Sequence, residues 1–334
     1  MSCCFATRTT TTTSSNVRSR PIISGGTVLT DTGQIIRGGT STIDSVRSDP
    51  AFWAACRALG LNTVRIGVRQ LTRTMSQVNA SIDKIVEAAR NNRMYVMLGN
   101  PEALPGAWDD NIAVNKAASI AFWGPTADRY RNEPHVFYEM FNEPEAWGAY
   151  SHYSSSTGEP TALTKAIRDV FDVMRASAPN TIICAPSATN IDAAGGIQQY
   201  VLVLQAWESL GAVDWTKSAW AYHGYNQTHR MLLTSKTTVP SPDLAADQGR
   251  SALRWLKARY PLIMTETNWW MEVGRKPLID ILDVHEDVAI GWTIMTHPFT
   301  TPPHEFPFAG DLWPTPLQSK MAQLRTRGYN IPVE

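Results

Sequence analysis

Two glutamates draw notice by where they fall. Residues 135–147 read HVFYEMFNEPEAW. Positions 136–141 read as one buried strand, aromatic and β-branched in composition. Pro144 cannot continue a central strand, so Glu143 sits where strand gives way to loop. Residues 262–268, LIMTETN, repeat the arrangement: an apolar run leads into Glu266. The C-terminal end of a buried barrel strand is where such enzymes keep their reactive groups. Two carboxylates placed this way, one able to give a proton and one able to attack, meet the requirement for cleaving a glycosidic bond.

A buried Glu266 costs several kcal/mol (about 3 or more) unless it is paired or hydrogen-bonded. Arg65, the one charge in the strand TVRIGV at 63–68, is the expected partner. The pairing has a structural reading, a plain buried ion pair, and a chemical one. A nearby arginine keeps a nucleophilic carboxylate ionised, while a more apolar setting keeps the other carboxyl protonated. His223 and Tyr225 are two apart on one predicted strand and so point to one face. A histidine among aromatics is commonly a satisfied core group; its place at the glutamate end of the strand favours a site role. The chain has 12 tryptophans. Trp108, Trp147, Trp269, Trp270, Trp292 and Trp313 fall in or beside strand-to-helix loops, where flat rings could stack on sugars. Some of them could instead only cap the barrel. The Gly-Gly pairs lack phosphate-loop spacing, and His297 and His304 read as loop residues. No metal-ligand set and no Ser/His/Asp arrangement is apparent, so no metal or cofactor is expected.

The elements that must hold these residues alternate. A short hairpin and a first strand are expected within 27–42, turning at Asp31 to Gly33. Helices follow at 49–59, 81–91, 112–131, 163–176, 196–210, 244–259, 277–284 and 316–327. The first has Asp49 as cap, Pro50 in its opening turn and Gly60 as its stop. Between them come strands at 63–68, 94–98, 136–141, 181–185, 218–225, 262–268 and 288–295. Eight short apolar strands, each followed by a helix, predict an α/β protein with a closed parallel barrel, a (β/α)8 TIM barrel. A length of 334 residues suits one such domain, assigned to 21–334.

Residues 1–20 form a Thr/Ser-rich segment with no apolar stretch of the kind an export signal carries. It reads as a flexible arm, either a frayed tail or an anchor to a larger assembly. The expected location is accordingly cytoplasmic, non-classically exported or particle-associated. Lysine plus arginine equals aspartate plus glutamate, 30 each, so no nucleic acid or membrane partner is expected. No apolar run approaches the roughly 20 residues of a membrane helix. Cys3 and Cys4 are too close to staple anything, and Cys56 and Cys184 read as buried thiols.

With Arg65, Asn142-Glu143-Pro144, His223-x-Tyr225 and Glu266 in that order, the chain resembles family 5 of the glycoside hydrolases. This is the cellulase and mannanase family of a large retaining clan of (β/α)8 barrels. The likeness runs from GQIIRGGTS near residue 33 to the last strand near residue 295. It implies retaining hydrolysis, within the chain, of a β-linked polysaccharide or oligosaccharide such as a glucan or mannan. It makes Glu143 the general acid/base and Glu266 the nucleophile. Asn142 would bond the sugar 2-hydroxyl, and Arg65, His223 and Tyr225 would orient and tune the glutamates. Two positions depart from the family pattern. Leu98-Gly99-Asn100 stands where a histidine is usual, and Met295 where a tryptophan is usual. The departures imply a roomier sugar subsite. They also keep open a second class of function, a catalytically weak carbohydrate-binding protein of the same fold. A third reading is a glycan-degrading component of a larger particle, such as a phage virion.

Overall fold

The computed structural model describes residues 18–42, 49–68, 73–99, 111–142, 144, 153–185, 197–224, 248–267, 278–295 and 315–332. A hairpin, β1 (Ile22–Ser24) and β2 (Thr27–Leu29), turns at Gly25 and Gly26, both at positive φ. This lies one step earlier than the hairpin expected from sequence. The Asp31–Gly33 turn is present as well, closed by Thr30 N–H to Gln34 O at 2.7 Å and a bridge between Leu29 and Ile35.

Eight parallel strands follow: β3 (Arg37–Thr42), β4 (Thr63–Gly67), β5 (Tyr95–Gly99), β6 (Val136–Glu139), β7 (Ile183–Cys184), β8 (Ser218–His223), β9 (Leu262–Glu266) and β10 (Gly291–Met295). Each pairs with the next, and β10 pairs back onto β3, so the barrel closes. Helices lie between them: α1 (Pro50–Leu59), α2 (Met75–Asn91), α3 (Ile112–Tyr130), α4 (Ala162–Ser177), α5 (Ile197–Ser209), α6 (Gln248–Lys257), α7 (Leu278–Val288) and α8 (Thr315–Thr326). The molecule is a (β/α)8 barrel, as the alternation of apolar strands and amphipathic helices requires.

Local chemistry explains the helix limits. Asp49 caps α1 by accepting from Ala51 N–H at 2.9 Å, and Gly60 ends it in the left-handed region. Helix α2 starts six residues before the expected Ser81, because Thr74 and Gln77 form a reciprocal capping box. Helix α7 runs four residues beyond the expected 284. Ala289, at φ 55, ends it: Ala289 N–H bonds Glu286 O at 3.1 Å and Ile290 N–H bonds His285 O at 2.9 Å. The apolar run at 288–295 is therefore split between a helix end and a strand.

Two apolar layers result. Side chains such as Val64, Ile66, Tyr138, Met264 and Trp292 fill the space between strands and helices. Ile36, Tyr95, Met97, Phe137, Cys184, Ala221 and Ile263 fill the barrel interior, with Val28 of the hairpin packed among them. Strand β2 pairs with the first residue of β9, so the hairpin plugs the N-terminal end of the barrel. Residues 18–20, which the sequence assigned to the arm, are fastened here. Arg18 pairs with Asp31 at 3.1 Å, Ser19 O accepts from the Tyr95 hydroxyl, and Arg20 bonds Thr181 and Arg131 O. Among the described residues no helix is long and apolar enough to cross a membrane.

Candidate active site

Strand alternation decides what faces the barrel axis. On β4, Val64 and Ile66 pack outward, which leaves Arg65 pointing in. On β6, Val136 and Tyr138 pack outward and Phe137 inward, so Glu139 points in. The inward row on β8 is Ala219, Ala221 and His223, above which the strand ends.

Strand β9 breaks its alternation. Ile263 faces the interior and Met264 the helices, so a regular strand would turn Glu266 outward. The register with β8 shifts: Tyr222 pairs with Met264, but His223 pairs with Glu266, leaving Thr265 as the extra residue. This β-bulge brings Glu266 opposite inward-facing His223. Gly224 N–H then bonds Glu266 O at 2.6 Å, and the Thr267 hydroxyl bonds Gly224 O at 2.7 Å. A Cβ at Gly224 would meet Met264 Sδ at 2.3 Å, so a larger residue there would have to push the methionine side chain aside.

Arg65 joins the parts. Its Nη1 lies 2.5 Å from Glu266 Oε2, its Nε bonds Glu139 Oε2, and its Nη2 donates to Asn142 Oδ1 at 2.7 Å. Arg65, Glu139 and Glu266 are 3%, 0% and 2% exposed, so these are interior charges in mutual contact. A planar fork spreads its donors over three separate nitrogens in fixed directions, whereas an ammonium gathers its three donors on one. Burial lowers the Arg65 proton affinity, but Glu139 and Glu266 together raise it well above the ordinary value. Burial pushes the Glu139 carboxyl up, yet Arg65 and then His223 outweigh it and hold it down at about 2. His223 Nε2 stands 3.7 Å from Glu139 Oε1, beyond hydrogen-bond length but close enough for Coulombic attraction. Cys184, opposite Glu139 on β7, has its thiol pushed up by burial and by that carboxylate.

The expected Arg65–Glu266 pair is therefore present, with Asn142 and His223 beside it. Glu139 was missed by the sequence reading, which took 136–141 as a plain apolar run. The signal was available, because Glu139 shares strand parity with inward-facing Phe137. Trp292 is a correction. It faces outward with Ile294, is fully buried, and donates from Nε1 to Glu286 Oε1 at 3.0 Å, beside the Arg37–Glu286 ion pair. It cannot stack on a sugar. Gly99 is a second correction. A Cβ there would lie 3.1 Å from Glu139 Oε2 and 3.4 Å from Ile66 O, so the space is taken by the Glu139 carboxylate and is not spare room for a sugar. Glu143, Tyr225, Asn100, Trp108, Trp147, Trp269, Trp270, Trp313, His297 and His304 lie outside the described residues, as does the side chain of Met295. No group of three or more metal-ligating side chains occurs among the described residues.

A buried cation beside Glu266 at the C-terminal end of β9 suits a carboxylate kept ionised for nucleophilic work on a neutral substrate. Known proteins resemble this chain in sequence or in fold. Endoglucanase Z of Dickeya dadantii (strain 3937) is 28% identical over 163 residues, a stretch that is 47% of this chain and only 30% of that protein. The solved structure of cellulase Cel5C_n superposes with a TM-score of 0.64 at 15% identity, covering 92% of this chain and 93% of that one. The catalytic domain of Thermobifida fusca endoglucanase Cel5A gives 0.61 at 16% identity, over 92% and 97% of the two chains. At such identities the likeness is one of fold. The family model described as Cellulase (glycosyl hydrolase family 5) matches residues 31–297, which hold Arg65, Asn142, Glu143, His223, Tyr225 and Glu266. This chain thus belongs to glycosyl hydrolase family 5 and is a glycoside hydrolase.

Proposed function

We propose that the chain hydrolyses internal bonds of a β-linked polysaccharide with retention of configuration, and that a β-glucan is the favoured substrate. Glu143 protonates the leaving oxygen while Glu266 attacks the anomeric carbon. Water then resolves the glycosyl-enzyme, with Glu143 acting as base. The observation that carries this reading is the Arg65 fork. It ties Glu266 on β9 to Asn142, which immediately precedes Glu143 in the chain. Asn142 is half-buried, and in this reading it bonds the sugar 2-hydroxyl. The substrate preference leans on relatives. Endoglucanase Z carries its activity in its name, and a Thermobifida fusca Cel5A variant was solved with cellotetraose.

The test is the anomer first released from a β-glucan oligosaccharide, followed by proton NMR. Retention is expected, with Glu266→Gln forming no covalent adduct. Glu143→Gln should slow both steps, and an activated leaving group should rescue only the first. An inverted product would falsify the assignment. A panel of cello-, manno- and substituted oligosaccharides ranks the substrates. Slow turnover of all of them, with tight binding, would favour the carbohydrate-binding alternative.

A further inference from the structure

One guanidinium here serves two buried carboxylates, although one would neutralise it. We infer that Glu139 is a positioning residue that holds the charge of Arg65 in balance while Glu266 becomes an ester. The inference rests on the retaining mechanism proposed above.

In the first step a bond forms between a Glu266 oxygen and the anomeric carbon. The bond from that carbon to the leaving oxygen breaks, and the Glu143 proton goes to the leaving group. Glu266 thereby loses its negative charge while Arg65 stays fully charged and 3% exposed. With Glu266 as its sole anionic partner, Arg65 would become an uncompensated buried cation, an expensive state. Glu139 removes that cost, because its contact with Arg65 Nε does not depend on Glu266. Before the step, two carboxylates compete for one cation, and forming the ester relieves the competition. Both effects drive glycosylation forward. Both oppose the second step, which regenerates the Glu266 carboxylate.

The surroundings suit this task. Glu139 is met by Arg65 from β4, by His223 from β8 and by the Cys184 thiol from β7, and Arg65 also reaches Asn142 and Glu266. Gly99 on β5 leaves the Glu139 carboxylate its place. Fully buried, Glu139 lies below the mouth, where a sugar would not touch it.

The test separates the two chemical steps. The natural chain, Glu139→Gln and Glu139→Asp are mixed with 2,4-dinitrophenyl β-cellobioside in a rapid-quench instrument. The phenolate burst gives glycosylation, and the covalent adduct by mass gives its accumulation. Glu139→Gln keeps the shape and removes the charge. Its burst should slow about 100-fold, roughly the weight of a two-unit electrostatic effect. Deglycosylation should be unchanged or faster, so less adduct accumulates. The acid limb of kcat/KM, which reports the free enzyme's essential base, should move down by about one pH unit as Arg65 turns wholly to Glu266. Glu139→Asp keeps the charge and should recover most of the burst. Equal slowing of both steps with an unmoved acid limb would mean a packing role only and would overturn the inference. If Glu139→Gln does not fold, Glu139→Asp decides by the same two rate constants: a burst that is retained, or slowed alone, supports the inference, and equal slowing of both steps overturns it. Absence of any adduct in the natural chain would instead overturn the retaining mechanism, and this inference with it.

Discussion

Replacing Arg65 by lysine keeps one positive charge at the barrel mouth but removes the fork that spreads it over three acceptors. Lysine gathers its donors on one nitrogen and cannot span the places held by Nε, Nη1 and Nη2, so one carboxylate and Asn142 should each lose a contact. Hydrogen bonds to charged groups contribute about 1.5–3 kcal/mol each, so two lost contacts amount to about 3–6 kcal/mol. Breaking a buried ion pair from one side costs about 3–5 kcal/mol by mutational experience, which agrees. Against a total stability of about 5–15 kcal/mol, the variant should fold but sit close to its limit. The penalty should depend on pH with a definite sign. In the natural chain Glu139 is held at about 2, so its stabilising contribution is present above about 4.5 and lost as pH falls towards 2. In the Lys variant the abandoned carboxyl is desolvated without a cation, which raises its proton affinity. A raised carboxyl regains stability as pH falls. The gap between the two proteins should therefore narrow between pH 7 and pH 5, by at most about 1.4 kcal/mol per pH unit. Urea unfolding of both proteins at pH 7 and pH 5 measures this. A Lys variant within about 1 kcal/mol of the natural chain at pH 7, beyond ordinary surface-level effects, would refute the argument. So would a penalty that stays constant with pH.

Two further predictions concern stability away from the site. His285 is buried between the Tyr222 hydroxyl and Ile281 O, each 2.7 Å from a ring nitrogen, and burial pushes it down to about 4. The unfolded chain takes up a proton near 6.5 and the folded one does not. Stability should therefore fall from about pH 6.5 towards pH 4, by up to about 1.4 kcal/mol per pH unit from this residue. His285→Gln should lower stability at pH 7 yet flatten that slope in a thermal-melt series; an unchanged slope would exclude His285 as its source. Ala289 adopts φ 55 at the end of α7, which costs a residue with a Cβ about 1 kcal/mol. Ala289→Gly should raise Tm by about 1–2 °C for a chain of this length, and a lower Tm would show that the left-handed cap carries no strain.

The sequence by itself determined the barrel, since eight apolar strand runs alternating with amphipathic helices leave few other ways to bury both. It also determined that Arg65 and Glu266 belong together, because two charges in otherwise apolar strands have few other partners available. The position of Asn142 at the end of β6 was legible from Pro144, which cannot extend a central strand. The tertiary structure decided the rest. Glu139 was hidden in a run dominated by aromatic residues; its parity with Phe137 was legible, but the contact with Arg65 is made by the closed barrel. Trp292 looked like a cleft residue because it lies near a loop; pairing with β3 and β9 turns it to the helices, where Glu286 takes its N–H. Gly99 looked like vacant space until the Glu139 carboxylate proved to fill it. The aim of Glu266 was the least legible feature. Plain alternation from Ile263 points it away from the axis, and only the bulge at Thr265, a product of pairing with a strand some 40 residues earlier, turns it inward. Local sequence sets propensity and parity. Register against a distant strand is a property of the assembled sheet, and here register decides which way the Glu266 carboxylate points.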